Sequence, residues 1–414
     1  MSHIDPIVVS PTAYDELETY LRKQTWTRCT IVSDQHTWAA AGSSIAERAR
    51  RAGLTVREII LEPGEVVADE IRLLEILRQT TPTDELFIAA GSGTITDMTR
   101  FISFKLGVPF LSCPTAASVD GFTSIGAPLV LKGIKQTLIS QPPRAMFADT
   151  GILCGAPTEM TAAGYGDIIG KITSLADWRI GHLLWDEPYD ESIALRTQKA
   201  IDSCVEHRHE IGKRTATGVE TLTHALVESG LCLVDFGESR PASGAEHHLS
   251  HFWEMQLLRD GRPAILHGAK VGVATVMIAG LYERIRQIPR EGLAERLGSV
   301  HLPGISAERD AIHSAYGSYA DQLIHGSEFV GIDKDRLRDV RERIVQHWGD
   351  IQGIAATVPG AQDVAGLLRD AGAPTTCSDI GLSAEMENAA FRYAHYLRNR
   401  FTSVKLARFL GLHS

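Results

Sequence analysis

Three histidines and an aspartate have the types and spacing to hold a metal ion. In Glu246-His247-His248-Leu249-Ser250-His251, which falls on a predicted helix, His247 and His251 lie one turn apart on the same face. His267 follows just ahead of another predicted helix, and Asp167 opens the first long helix of the second half. Neutral imidazoles joined by a carboxylate suit Zn²⁺, Fe²⁺ or Ni²⁺. Taken one at a time, helical histidines are as readily structural or solvent-facing as ligands. The zinc-protease pattern H-E-x-x-H is absent.

Two further segments could hold a phosphorylated or nucleotide ligand. Gly91-Ser92-Gly93-Thr94-Ile95-Thr96-Asp97 directly follows the apolar run Leu86–Ala90 and leads into a predicted helix over Asp97–Lys105. Glycines there let the backbone approach a diphosphate, and amides at a helix start favour negative charge. The segment lacks the third glycine of G-x-G-x-x-G and the Gly-Lys-Ser/Thr of a Walker A loop, so a plain tight turn stays open. Pro114-Thr115-Ala116-Ala117-Ser118-Val119-Asp120-Gly121-Phe122-Thr123-Ser124 mixes small residues with hydroxyls that can donate to phosphate or ribose. Asp120 could accept from a substrate hydroxyl, or cap a turn. Asp34, at the end of Cys29–Ser33, could hold a ribose or cap a helix.

These residues need elements to position them. Short apolar runs recur at Cys29–Ser33, Val56–Leu61, Leu86–Ala90, Pro109–Ser112 and Ala145–Ala148, with helical stretches such as Ser43–Ala52 and Ala68–Gln79 between several of them. That alternation predicts βαβ units and a parallel sheet, whose ligands bind beyond the carboxyl ends of the strands. From Thr158 onward helix-period segments dominate, among them Gly166–Leu184, Ala245–Leu258 and Gly268–Ile288. The expected organisation is therefore an α/β domain over 1–155, carrying a cofactor, and an all-α domain over 156–414, carrying metal and substrate.

Composition narrows the partners. The 414 residues carry 41 basic and 51 acidic side chains, a net charge of −10, which argues against nucleic acid or an anionic membrane surface. No apolar stretch reaches the length of a membrane span, and no secretory signal is visible. Six cysteines without a C-x-x-C pair read as reduced thiols. The expectation is a soluble, cytoplasmic protein.

In order, G-S-G-T-I-T-D, P-T-A-A-S-V-D-G-F-T-S, A-G-Y-G-D-I-I-G-K, S-G-A-E-H-H-L-S-H and L-H-G resemble the sn-glycerol-1-phosphate dehydrogenase family. That family sits in the superfamily of iron-containing alcohol dehydrogenases, glycerol dehydrogenases and dehydroquinate synthases. The resemblance runs from about Cys29 to Val273. It implies a Rossmann-like parallel-sheet domain followed by a helical domain, as in dehydroquinate synthase. It implies that Gly93, Thr94, Ile95, Thr96 and Asp97 hold the NAD(P)H diphosphate, with Thr115, Ala116, Ala117, Ser118 and Ser124 adding contacts and Asp34 holding the adenosine ribose. Asp167, His247 and His267 would ligate one divalent metal (Zn²⁺, Ni²⁺ or Fe²⁺). Asp120 and His251 would be the catalytic and substrate-contacting residues, with Asp167 also at the substrate.

The activity so implied is hydride transfer between NAD(P)H and dihydroxyacetone phosphate, in a homodimer. The substrate phosphate needs cations, and Lys132, Lys135, Arg262 and Lys270 are the candidates. Rival readings are a polyol dehydrogenase acting on an unphosphorylated substrate, a dehydroquinate-synthase-like cyclase and a catalytically silent NAD-binding scaffold.

Overall fold

The computed structural model describes residues 4–64 and 66–412. Its main sheet is built from β1 (Ile7–Ser10), β2 (Arg28–Ser33), β3 (Thr55–Ile60), β4 (Phe87–Gly91), β5 (Phe110–Pro114) and β8 (Ala145–Asp149). They run in the order β1-β8-β5-β4-β2-β3, with every neighbouring pair parallel. Every residue of β4 and β5 is buried, as expected where helices cover both faces. Alternation along the strands feeds two cores. Ile31, Ile88 and Leu111 pack with Leu17 and Ile45 on one face, while Val32, Phe87 and Phe110 pack with Met98 and Ile102 on the other.

Covering and connecting helices include α1 (Ala13–Arg22), α2 (Ser43–Arg51), α3 (Glu70–Leu77) and α4 (Gly93–Leu106). Five strands coincide within a residue or two with the apolar runs. The half-buried edge strand β1 and the hairpin of β6 (Gly126–Leu131) and β7 (Ile134–Ile139) do not announce themselves in that way. The hairpin turns at Lys132-Gly133, both with positive φ (53° and 73°), the geometry that matches the twist of paired strands.

Beyond β8 the chain is helical. Its main members are α5 (Thr158–Trp185), α6 (Glu191–Glu206), α7 (Ala216–Phe236), α8 (Ala245–Arg259), α9 (His267–Arg286), α10 (Ile305–Tyr316), α11 (Lys334–Gln346) and α12 (Ser403–Phe409). Two compact units result: one runs up to Ile168 and takes in Asp202–Glu238, and the other combines Ile169–Ile201 with the chain from Ser239 on. Thus α7 packs with the sheet unit, where Val219 and Val227 join Phe122, Met146 and Ala148 in one apolar cluster. α5 is a single helix that contributes residues to both units. Among the described residues no helix is long and apolar enough to cross a membrane. None of the six cysteines is in a disulfide, and burial pushes the thiols of Cys29 and Cys204 up to about 12.

Candidate metal and cofactor site

The sheet order reverses between β2 and β4: β3 lies on the far side of β2, whereas β5 and β8 extend beyond β4. In an open parallel sheet this is where a ligand crevice forms at the carboxyl ends. Asp34 follows β2, Ser92-Gly93 follows β4 and Thr115 follows the adjacent β5, so the three candidate cofactor segments leave neighbouring strands at the same edge.

α4 begins at Gly93, four residues earlier than periodicity predicts. Its N-cap, Ser92, is extended and makes no side-chain cap bond to the first amides of the helix, the end that attracts anions. A Cβ on Gly93 would lie 2.8 Å from Val119 Cγ2, which makes glycine the residue that lets the two loops approach. Thr115 N donates to Gly91 O across the same gap. Thr115, Ala116, Ala117 and Ser118 are all buried, and Ser124 Oγ donates to the carbonyls of Gly121 and Gly126.

Within 93–97 the side chains have other work. Ile95 packs in the core, and Thr96 Oγ1 donates back to Ser92 O. Asp97 accepts from Arg100 (2.7 Å), and burial pushes its carboxyl up to about 7, against the pull of Arg100 and Lys135. Arg100 is fully buried and also donates to the carbonyls of Gly121, Phe122 and Gly126, fastening the 120–126 loop to α4. With Ile95, Thr96 and Asp97 so engaged, the backbone amides and the partly exposed Thr94 are what this segment could offer a diphosphate. Asp34 caps a one-turn helix: Oδ1 accepts from Thr37 N (2.8 Å), and Asp34 N donates in turn to Thr37 Oγ1 (3.0 Å).

Asp167, His247 and His267 each present a ligand atom, and these atoms all lie within 4.8 Å of one another. Asp167 stands on α5, His247 on α8 and His267 at the first position of α9. His251, one turn beyond His247, joins them, with its ring centroid 6.1 Å from His247 and 5.6 Å from His267. Asp120, in the loop after β5, lies against Asp167: its amide donates to Asp167 Oδ2 (3.1 Å), and Ser229 Oγ donates to its carboxylate (2.9 Å).

His248, between the two site histidines, turns away. It is buried, and burial with the charges of Lys405, Arg400 and Arg398 pushes its pKa well below the usual histidine range.

The metal reading can be tested on donor chemistry. His247 Nδ1 is 2.8 Å from Glu246 Oε1, which leaves Nε2 as the ligand atom, the arrangement that aims and strengthens metal-binding imidazoles. Glu246 is fully buried and also accepts from Gly244 N (2.7 Å) and Thr173 Oγ1 (2.8 Å). Burial alone would raise its pKa, but the bonds from His247, Gly244 and Thr173 outweigh that and hold it low. Behind it Asp177 accepts from Ala245 N, Ser403 N and Tyr282 OH, and burial beside Glu246 pushes its carboxyl up to about 7. One carboxylate and two imidazoles, that of His247 oriented by Glu246, fit a divalent transition metal.

Spacing does not single out Glu246, Arg100 or Glu254, and the sequence names Lys270 only as one of four candidate cations. Glu246 adjoins a histidine and so reads as an ordinary helical acid. Lys270 is almost fully buried, with Nζ 3.3 Å from Glu254 Oε2, and Glu254 lies 3.7 Å from His251 Nδ1. Of the other cations, Arg262 donates to Gly381 O, Lys132 sits in the hairpin turn and Lys135 is close enough to act on Asp97.

The iron-containing alcohol dehydrogenase family matches residues 8–157. The glycerol-1-phosphate dehydrogenase [NAD(P)+] of Bacillus velezensis is 39% identical over 406 residues, covering 97% of this chain and 91% of its own. The chain belongs to the glycerol-1-phosphate dehydrogenase family. A second relative of that name, from Bacillus subtilis, is 38% identical with the same coverage. The fold of this family member is also that of a glycerol dehydrogenase from Schizosaccharomyces pombe (TM-score 0.65, 16% identity, 98% of this chain and 87% of that one). A probable glycerol dehydrogenase from Sinorhizobium meliloti 1021 is as similar (TM-score 0.65, 15% identity, 99% and 97%). At such identities the likeness concerns the fold alone.

Proposed function

We propose that this chain is a metal-dependent NAD(P)H oxidoreductase that interconverts dihydroxyacetone phosphate and sn-glycerol 1-phosphate. The observation that carries the reading is the convergence of Asp167, His247 and His267, with His251 and Asp120 beside them, in a chain of this family. Asp167, His247 and His267 would hold one Zn²⁺, Ni²⁺ or Fe²⁺. When bound, such an ion supplies electrostatic stabilisation of the negative charge that develops on the substrate.

The chain's own groups do the rest. The amides at the start of α4 and the small residues Thr115–Ser118 hold the cofactor diphosphate, with Ser124 completing the loop. Asp34 faces the adenosine ribose, where its charge disfavours a 2′-phosphate and so favours NADH. Reduction of the C2 carbonyl takes one hydride and one proton. His251 is placed to hold that proton and pass it to the C2 oxygen. Asp120, steadied by Ser229, accepts from a substrate hydroxyl. Lys270, which contacts Glu254 beside His251, is assigned to the substrate phosphate. In this reading residues 1–155 carry the cofactor and 156–414 the metal and substrate, in a cytoplasmic homodimer.

NADH oxidation with dihydroxyacetone phosphate and with dihydroxyacetone tests the substrate assignment. Loss of the phosphate contacts should lower kcat/KM by at least about 100-fold. Equal values on both substrates would overturn the assignment in favour of a polyol dehydrogenase.

A further inference from the structure

The helical unit contains a cavity of about 450 Å³ that shares no residue with the metal and cofactor segments. It lies among the loop 298–304, the start of α10, the segment 329–332, and residues of α11 and α12. Its lining includes the apolar Leu302, Ile332, Leu337 and Phe409 together with three cations, Arg341, Lys405 and Arg408, and one carboxylate, Glu308.

That carboxylate is already engaged. Glu308 accepts from Arg408 Nη2 (2.7 Å), Gly331 N (3.1 Å) and Tyr396 OH (3.3 Å), so it balances Arg408 and no other cation. Lys405 is 2% exposed. Its Nζ donates to the carbonyls of Arg398 and Arg400 and sits 3.7 Å from the ring centroid of Phe329, which also lines the cavity. No carboxylate stands within ion-pair distance of it among the described residues. Arg341 donates from Nη2 to Val300 O (2.7 Å), and its buried Nε has no partner among the described residues.

Arg341 and Lys405 line a partly apolar space with no carboxylate in ion-pair contact with either among the described residues, although Glu187 and Asp177 act on Lys405 from farther away. A buried cation is costly unless a counter-charge accompanies it, and here burial lowers the Lys405 ammonium pKa strongly. An anion seated against Arg341 and Lys405 supplies that charge, and an apolar body attached to it packs on the apolar part of the lining.

We propose that this cavity binds a small organic oxyanion, a phosphate monoester or carboxylate with a short apolar body, at a site separate from catalysis. The probes are phenyl phosphate and benzoate, titrated calorimetrically into full-length metal-loaded enzyme held in NADH and sn-glycerol 1-phosphate, so that the catalytic site is filled. Inorganic phosphate is the head-only control and benzyl alcohol the body-only control.

The expected result is saturable binding of at least one probe, one per chain, and at least about 10-fold weaker binding of both controls. Arg341→Met and Lys405→Met should each weaken that probe at least about 10-fold. Arg341→Met should leave NADH oxidation without probe within about twofold of the native rate. It also serves as the decisive variant if Lys405→Met fails to fold. The binding of only one probe then identifies the preferred head group. Absence of saturable binding by both probes, binding that survives Arg341→Met, or displacement of the probe by raising NADH would each overturn the proposal.

Discussion

Glu246 is the side chain through which the fold acts on the proposed metal ligands, because its Oε1 receives His247 Nδ1 while Gly244 and Thr173 hold it still. Glu246→Gln keeps the shape but removes the charge, and divalent-metal affinity should fall about 10- to 100-fold with the circular dichroism unchanged. Competition with a chromogenic chelator measures this directly; unaltered affinity would make Glu246 merely structural. Asp177 gives a pH-dependent counterpart. Its folded pKa of about 7 lies above the ordinary aspartate value of about 4, so the folded chain binds more protons between those values. Its contribution to stability is present below pH 4 and is lost as pH rises toward 7. Denaturant unfolding of metal-free protein should show a falling stability over that interval, with a smaller fall in Asp177→Asn; equal slopes would contradict the assignment. The sequence points to His247 and His251 through their helical spacing, with His267 and Asp167 as further candidates, and it is the family resemblance that picks out Asp167, His247 and His267 as the ligand set. It does not point to Glu246 or Asp177, since a carboxylate becomes a partner only when burial and a facing donor are known.

At the scale of elements, the site depends on α5 passing close beneath the loop after β5. A Cβ on Gly164 would meet Ala117 O at 2.0 Å and Ser118 Cα at 3.2 Å, and a backbone cannot yield as a flexible side chain does. Gly164→Ala should therefore cost about 1–3 kcal/mol of stability and weaken NADH binding by displacing Thr115–Ser118. Gly155→Ala, with open space around its Cβ, is the control; parallel unfolding curves and NADH titrations that do not separate the two would refute the close-packing argument. The buried strands β2, β4, β5 and β8 were legible because both faces are covered, so their residues read as continuous apolar runs. β1 and the β6–β7 hairpin were not, since half-buried edge strands mix residue types and their identity comes from pairing. α4 starts before its predicted position because its first turn is glycine and hydroxyl residues, which carry no helical periodicity.

For the molecule as a whole, the change from strands to helices near residue 157 was visible in the sequence, but which helices pack on the sheet was not. The return of Asp202–Glu238 to the sheet unit rests on contacts such as those of Val219 and Val227 with Phe122 and Met146, and such contacts are long-range. The net charge of −10 likewise hides its local exceptions, among them the buried Lys270 and the cations of the second cavity. What joins these scales is the claim that Asp167, His247 and His267 hold one divalent metal that the reduction of dihydroxyacetone phosphate requires. The measurement that tests it most directly is the rate and stereochemistry of that reduction by NADH, before and after chelation and after restoring Zn²⁺, Ni²⁺ or Fe²⁺, alongside metal content. Native enzyme should lose activity on chelation and regain it with one metal per chain, yielding only sn-glycerol 1-phosphate, while Asp167→Ala binds less metal and stays inactive. Full activity in the metal-free enzyme, or in Asp167→Ala, would contradict the account.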